Sequence, residues 1–142
     1  MRHRLIQVGI ATGALLAILL IAFNYTPTQA EVFLEQHLDW VEGKRVGLIT
    51  NPTGVNRQLK SSADLLFEHP DIELTALFGP EHGIRGSQEA GEYIESYIDE
   101  RTGLPVYSLY GPTWKPHEDM LEDVDVLLFD IQDISSNVYT YI

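Results

Sequence analysis

A chain of 142 residues is long enough for one modest domain and short for two. Its hydrophobic content of 44% is that of a folded protein, while a formal net charge of −12 argues against nucleic acid, whose phosphates require clustered Lys and Arg. The absence of cysteine removes both a disulfide framework and lipid attachment at a cysteine, so the fold must rest on its core.

Residues 1–30 differ from the rest. Arg2 and Arg4 precede an apolar run from Val8 to Phe23, and polar "NYTPTQA" follows, which is the order of an export signal. The run is slightly long for a signal and short for a full span. It therefore reads either as a signal peptide cut after Ala30, with Thr28 and Ala30 as the small residues, or as an uncleaved membrane anchor through residues 8–23. Both readings put residues 31–142 in an extracytoplasmic space, periplasmic or secreted. Loss of Arg2 and Arg4 would leave seven basic residues against twenty-one acidic, a net charge of −14.

From residue 32, "VFLEQHLDWVEG" predicts an amphipathic helix with Val32, Phe33, Leu38 and Val41 available to one face. "VGLIT", between a Gly turn and an Asn-Pro turn, predicts a buried strand. "SSADLLFEHP" has Ser at its entry and Pro70 as its stop, the signature of a helix of two to three turns. "IELTALFG" predicts a second strand, and strand, helix, strand is the unit of a parallel sheet. "AGEYIESYIDERTG" predicts a helix or a partly irregular crossing, "LPVYSLYG" a third strand, and "HEDML" a short helix. "VDVLLFDI" has almost no polar alternation and predicts a central strand covered on both faces. Eleven residues follow it, too few for a helix to return over it, so the expectation is a truncated chain or one half of a split protein whose C-terminal half is encoded separately.

In open α/β sheets, ligands bind outside the carboxyl ends of the strands. "TNPTG", "GPEHGIRG", "YGP" and "DIQDISSNVYTY" each follow one of the four predicted strands and would share that edge. Polar strand ends occur in inert proteins too, and a Gly-Pro loop is by default a solvated turn. A nucleotide-binding Rossmann reading is weakened because no G-x-G-x-x-G follows the first strand.

The blocks "GLITNPTGV", "LFGPEHGIRG", "AGE", "TGLPVYSLYG" and "VDVLLFDIQDISSNVYTYI", in this order over about residues 40 to 142, resemble the family known as DUF1343 or YbbC-like. That family includes exo-β-N-acetylmuramidases, glycosidases that remove terminal N-acetylmuramic acid from peptidoglycan fragments. The resemblance implies an α/β fold with a Rossmann-like parallel sheet flanked by helices, truncated before a second domain that would complete a cleft. It implies muramyl sugars derived from peptidoglycan as the partner, in cell-wall recycling, and no cofactor. The chain departs from the family pattern at Ser135, Asn137 and Val138, where Gly, Arg and an aromatic residue are expected. Asn cannot replace a guanidinium as a bidentate carboxylate binder.

Glycoside hydrolysis usually takes a carboxylic acid at the leaving oxygen and a carboxylate or equivalent across the sugar. Glu81 is the expected acid, against a role in shaping its loop through backbone N–H groups. His82 would orient Glu81 or bind a hydroxyl; no second His stands at metal-site spacing, so no metal is expected. Glu92 is the second carboxylate, against a solvated helix start. The substrate-binding set is Asn51, Arg85, Gln132, Asp133 and Tyr139. Asn51 would otherwise form an Asx turn before Pro52, Arg85 would otherwise pair with a structural acid, and Tyr139 with Tyr141 would otherwise be core. Asp130 reads as a cap on neighbouring backbone amides. A metal-dependent hydrolase using His82, Asp130 and Asp133 is a further reading, and the competing class is a non-catalytic sugar- or anion-binding module.

Overall fold

The computed structural model describes residues 26–86 and 95–132. Helix α1 spans Gln29–Gln36 and a 3-10 turn follows at Leu38–Trp40; strand β1 is Arg45–Thr50, helix α2 Ser62–Phe67 and strand β2 Glu73–Gly79. Then come β3 (Tyr97–Ile98), β4 (Pro105–Ser108), a 3-10 turn at Glu118–Leu121 and β5 (Val126–Asp130).

The helices begin where local chemistry satisfies their free amides. Thr28 closes a capping box: its hydroxyl accepts from the Glu31 amide, and the Glu31 carboxylate accepts from the Thr28 amide at 2.8 Å. α1 thus starts before the sequence expectation and crosses the 30/31 boundary, with Ala30 buried in it. It also ends sooner, at His37, whose ring stacks on Trp40. At α2 the Ser61 hydroxyl accepts from the Asp64 amide.

The five strands form one sheet in the order β3-β4-β2-β1-β5, parallel except for the β3–β4 pair. The chain runs outward from β1 through β2 to β4, then returns to the other side of β1 as β5. This is the path of half a Rossmann sheet, with its switch point between β1 and β5. Opposite Val46 and Gly47 the β2 register skips Thr75, so Leu74 and Leu77, three positions apart, face the same core. Under α1 and α2 that core contains Val46, Leu48, Leu66, Leu77, Ile84 and Val106. On the other face Ala76, Phe78 and Leu109 pack with Met120, Leu121 and Val124.

Two expectations are corrected. The stretch leading to residue 103 supplies the short antiparallel strand β3 within its described part, because Asp99 turns the chain back: its carboxylate accepts from the Thr102 amide and hydroxyl, and its own amide donates to the Leu104 carbonyl. β5 is the edge strand among the described residues, not a central one, and Leu127 and Phe129 are 38% and 60% exposed. Val126 and Leu128 pack half-buried against the core, while Leu127 and Phe129 on the other face stay exposed.

Candidate active site

Parallel register brings the ends of β1, β2, β4 and β5 to one edge. At the switch point the loops are stitched together. Thr50 Oγ1 donates to the Asp130 carbonyl at 2.9 Å, the Gln132 amide donates to Thr53 Oγ1 at 3.0 Å, and Gln132 Nε2 donates to the Val55 carbonyl at 3.2 Å. Gly54 makes this closure feasible, since a Cβ there would press on Thr50 Oγ1 and come within 2.8 Å of the Asp130 carbonyl oxygen. The Asp130 carboxylate accepts from the Ser62 hydroxyl, where backbone amides had been expected as its partners.

Asn51 is 1% exposed, and its Oδ1 accepts from the Thr53 amide at 3.0 Å and the Thr53 hydroxyl at 2.6 Å. That is the Asx turn. Its Nδ2 is buried without a hydrogen-bond partner among the described residues. Contact between this amide and a sugar would require the loop to move.

The loop after β2 is held differently. Pro80 and Ile84 are buried at its two ends, and the Gly83 amide donates to the Pro80 carbonyl at 2.9 Å, closing a four-residue turn. His82 is its third residue with φ +70°, while Glu81 keeps a negative φ. That combination defines a type II turn, whose third position normally takes Gly. A histidine there costs on the order of 1 kcal/mol in backbone strain, a cost that is concentrated at functional sites. The turn holds Glu81 and His82 half-buried at the sheet edge.

Glu81 meets the loop after β4. The Tyr110 phenol lies near its carboxylate, and burial, followed by that carboxylate, pushes the phenol's pKa up. Tyr110 packs edge-on against Trp114, with ring centroids 5.4 Å apart and planes at 72°. Neither aromatic residue was singled out in the sequence. The signal was the position of "LYGPTW" immediately after a strand, with Gly and Pro fixing the turn.

Arg85 is turned onto structural partners. Its Nε donates to Asp99 at 3.0 Å, Nη1 to Ser61 and Asp64 at 3.1 Å each, and Nη2 to Asp64 at 2.9 Å and Asp99 at 2.8 Å. All five N–H groups are engaged, so the geometry favours the structural pairing over a substrate carboxylate. The Arg85 hydrogen bonds, against burial, hold Asp99 down at about 2. Burial would push Asp64 up, but hydrogen bonds from Arg85 and Ser61 outweigh it and keep its pKa below the usual range.

Glu92, Asp133 and Tyr139 lie outside the described residues, as do Ser135, Asn137 and Val138. No group of three His, Cys, Asp or Glu among the described residues is arranged to hold a metal. Among the described residues two cavities flank β5. One of about 350 Å³ lies between α1, Leu48, Leu66 and Phe129, and one of about 600 Å³ between Pro27, Gln29, Asp130 and Gln132. Glu81 and His82 line neither of these two; they stand at the carboxyl end of β2.

Fold and edge together define an α/β protein with a Rossmann-type strand order and a carboxylate, Glu81, in a loop at the strand ends. The family described as "Exo-beta-N-acetylmuramidase NamZ, N-terminal" matches residues 46–142, and the chain belongs to that family. The chain is 60% identical over 115 residues to the peptidoglycan beta-N-acetylmuramidase NamZ of Bacillus subtilis (strain 168), a match covering 81% of this chain and 28% of that protein. Two crystal structures of DUF1343 family proteins from Bacteroides fragilis NCTC 9343 are similar. One has a TM-score of 0.70 at 55% identity over 81% of this chain and 28% of that one; the other has 0.58 at 34% identity over 79% and 27%. The chain thus spans under a third of the length of the relatives it matches.

Proposed function

We propose that this chain is the N-terminal α/β part of an exported exo-β-N-acetylmuramidase, a glycosidase releasing terminal N-acetylmuramic acid from peptidoglycan fragments. One observation carries the reading: a strained turn at the end of β2 holds a carboxylate and a histidine at the carboxyl edge of the sheet. In this reading Glu81 protonates the leaving glycosidic oxygen, Tyr110 holds the carboxyl in place, and His82 meets a sugar hydroxyl or orients Glu81. Glu92 remains the second carboxylate assigned from the sequence. The lactyl carboxylate of the substrate is met by a group other than Arg85, whose donors are already engaged.

Identity to the Bacillus subtilis muramidase supports the reaction class. The rest of the relatives' length would supply the opposite wall of the cleft, so the chain alone does not turn over. Export follows from Arg2, Arg4 and the apolar run from Val8 to Phe23.

The test is a chimera in which this chain replaces the matching segment of the Bacillus subtilis relative, assayed with a chromogenic muramyl glycoside beside the chain alone. The chimera should release sugar and the isolated chain should not. Glu81→Gln should slow the chimera by about 10²- to 10⁴-fold. Near-normal turnover in that variant removes Glu81 from the acid role. An inactive chimera that still binds muramyl sugar favours a non-catalytic binding module.

A further inference from the structure

Trp114 is 53% exposed, yet the loop that carries it is braced. Gly111 turns the chain at φ +115°, a conformation open to glycine alone, and Pro112 and Pro116 stiffen either side. The Thr113 hydroxyl donates to the Lys115 carbonyl at 2.7 Å across the tryptophan. A large apolar ring kept half in water by a braced turn forgoes much of the stabilisation that its burial would contribute. Single exposed apolar side chains are ordinary; this one is coupled to the site. Its edge-on partner Tyr110 lies near the Glu81 carboxylate, so two aromatic planes at 72° form a corner beside the strained Pro80–Gly83 turn.

We propose that Trp114 and Tyr110 form the stacking corner that receives a pyranose ring of the substrate beside Glu81, with Tyr110 also acting as the positioning residue for that carboxylate. The proposal deepens the glycosidase reading and rests on it for the role of Glu81. The chemistry is that of a ring with one apolar face and a hydroxylated rim: the C–H face lies on an indole, and the rim meets polar groups. Such sites combine aromatic walls with few, fixed polar groups. A rigid aromatic corner suits this because little side-chain entropy is lost when the ring docks.

The chain has two tryptophans, so Trp40→Phe leaves Trp114 as the only indole reporter. In the 142-residue chain carrying that change, N-acetylmuramic acid and N-acetylglucosamine should each perturb the fluorescence saturably, and lactate alone should not. By calorimetry, Trp114→Ala should weaken sugar binding about tenfold or more with an unchanged circular dichroism spectrum, and Trp114→Phe should retain most of the affinity. In the chimera, Tyr110→Phe should lower kcat and leave KM within about twofold, whereas Trp114→Ala should raise KM. A fluorescence signal indifferent to both sugars, or an affinity indifferent to Trp114→Ala, overturns the stacking corner. Sugar binding that depends on Trp114 in a chimera without turnover leaves the corner standing and overturns the glycosidase reading instead.

Discussion

Arg85 carries five N–H donors, and the fold uses all five on Ser61, Asp64 and Asp99. Both carboxylates are 5% exposed, and Arg101 adds a contact to Asp64 at 3.0 Å. Removing the guanidinium would leave two buried charges with most of their compensation gone. Arg85→Met should therefore lower unfolding stability by about 3–5 kcal/mol in urea titrations. The acid response has a defined sign. Asp99 ionises at about 2 in the folded state, below its ordinary 3.8, so its contribution is complete above about pH 4 and is lost as pH falls through about 2. Thermal melts of the wild-type chain should decline across that window, and Asp99→Asn should flatten the decline from a lower starting value. An unchanged pH profile in that variant would show that the pair adds nothing. From the sequence, Arg85 stood between a ligand and a structural acid; its acids lie 21 and 14 positions away, and only the tertiary fold brings them together.

Among elements, α1 carries the clearest consequence. Its cap is Thr28 and its first buried side chain is Ala30, both on the far side of the boundary that the signal reading sets after Ala30. A cut there would remove the capping hydroxyl and expose the amides of the first turn. Thr28→Ala should cost about 1 kcal/mol, and a chain beginning at Glu31 should melt below one beginning at Pro27. Equal melting temperatures for the two would mean that α1 contributes no stability. The sequence hinted at this helix through Val32, Phe33 and Leu38, but its start depended on a capping box that a small-residue cleavage pattern also matches. The loop after β2 shows the converse. Gly and Pro mark a turn in any sequence, but a histidine at φ +70° is a cost that composition does not register.

For the whole molecule, the sheet ends among the described residues on β5, with Leu127 and Phe129 open to solvent. An apolar, exposed edge strand is a template for association. Sedimentation velocity should reveal concentration-dependent self-association of the 142-residue chain. Phe129→Lys should weaken it about tenfold, equivalent to about 1.4 kcal/mol, without changing the circular dichroism spectrum. A chain that stays monomeric at all concentrations contradicts this. The sequence by itself determined the alternation of strands and helices, the parallel sheet and the common edge for the four loops, because apolar runs and their Gly, Pro and Ser boundaries are local signals. It also carried the ordered blocks of the muramidase family. Tertiary structure alone decided which strand is at the edge, that Arg85 is turned onto Asp64 and Asp99, and that Tyr110 lies near Glu81. Each of these depends on contacts between segments distant in the chain, and the energies of burial and hydrogen bonding are fixed by those contacts rather than by residue type.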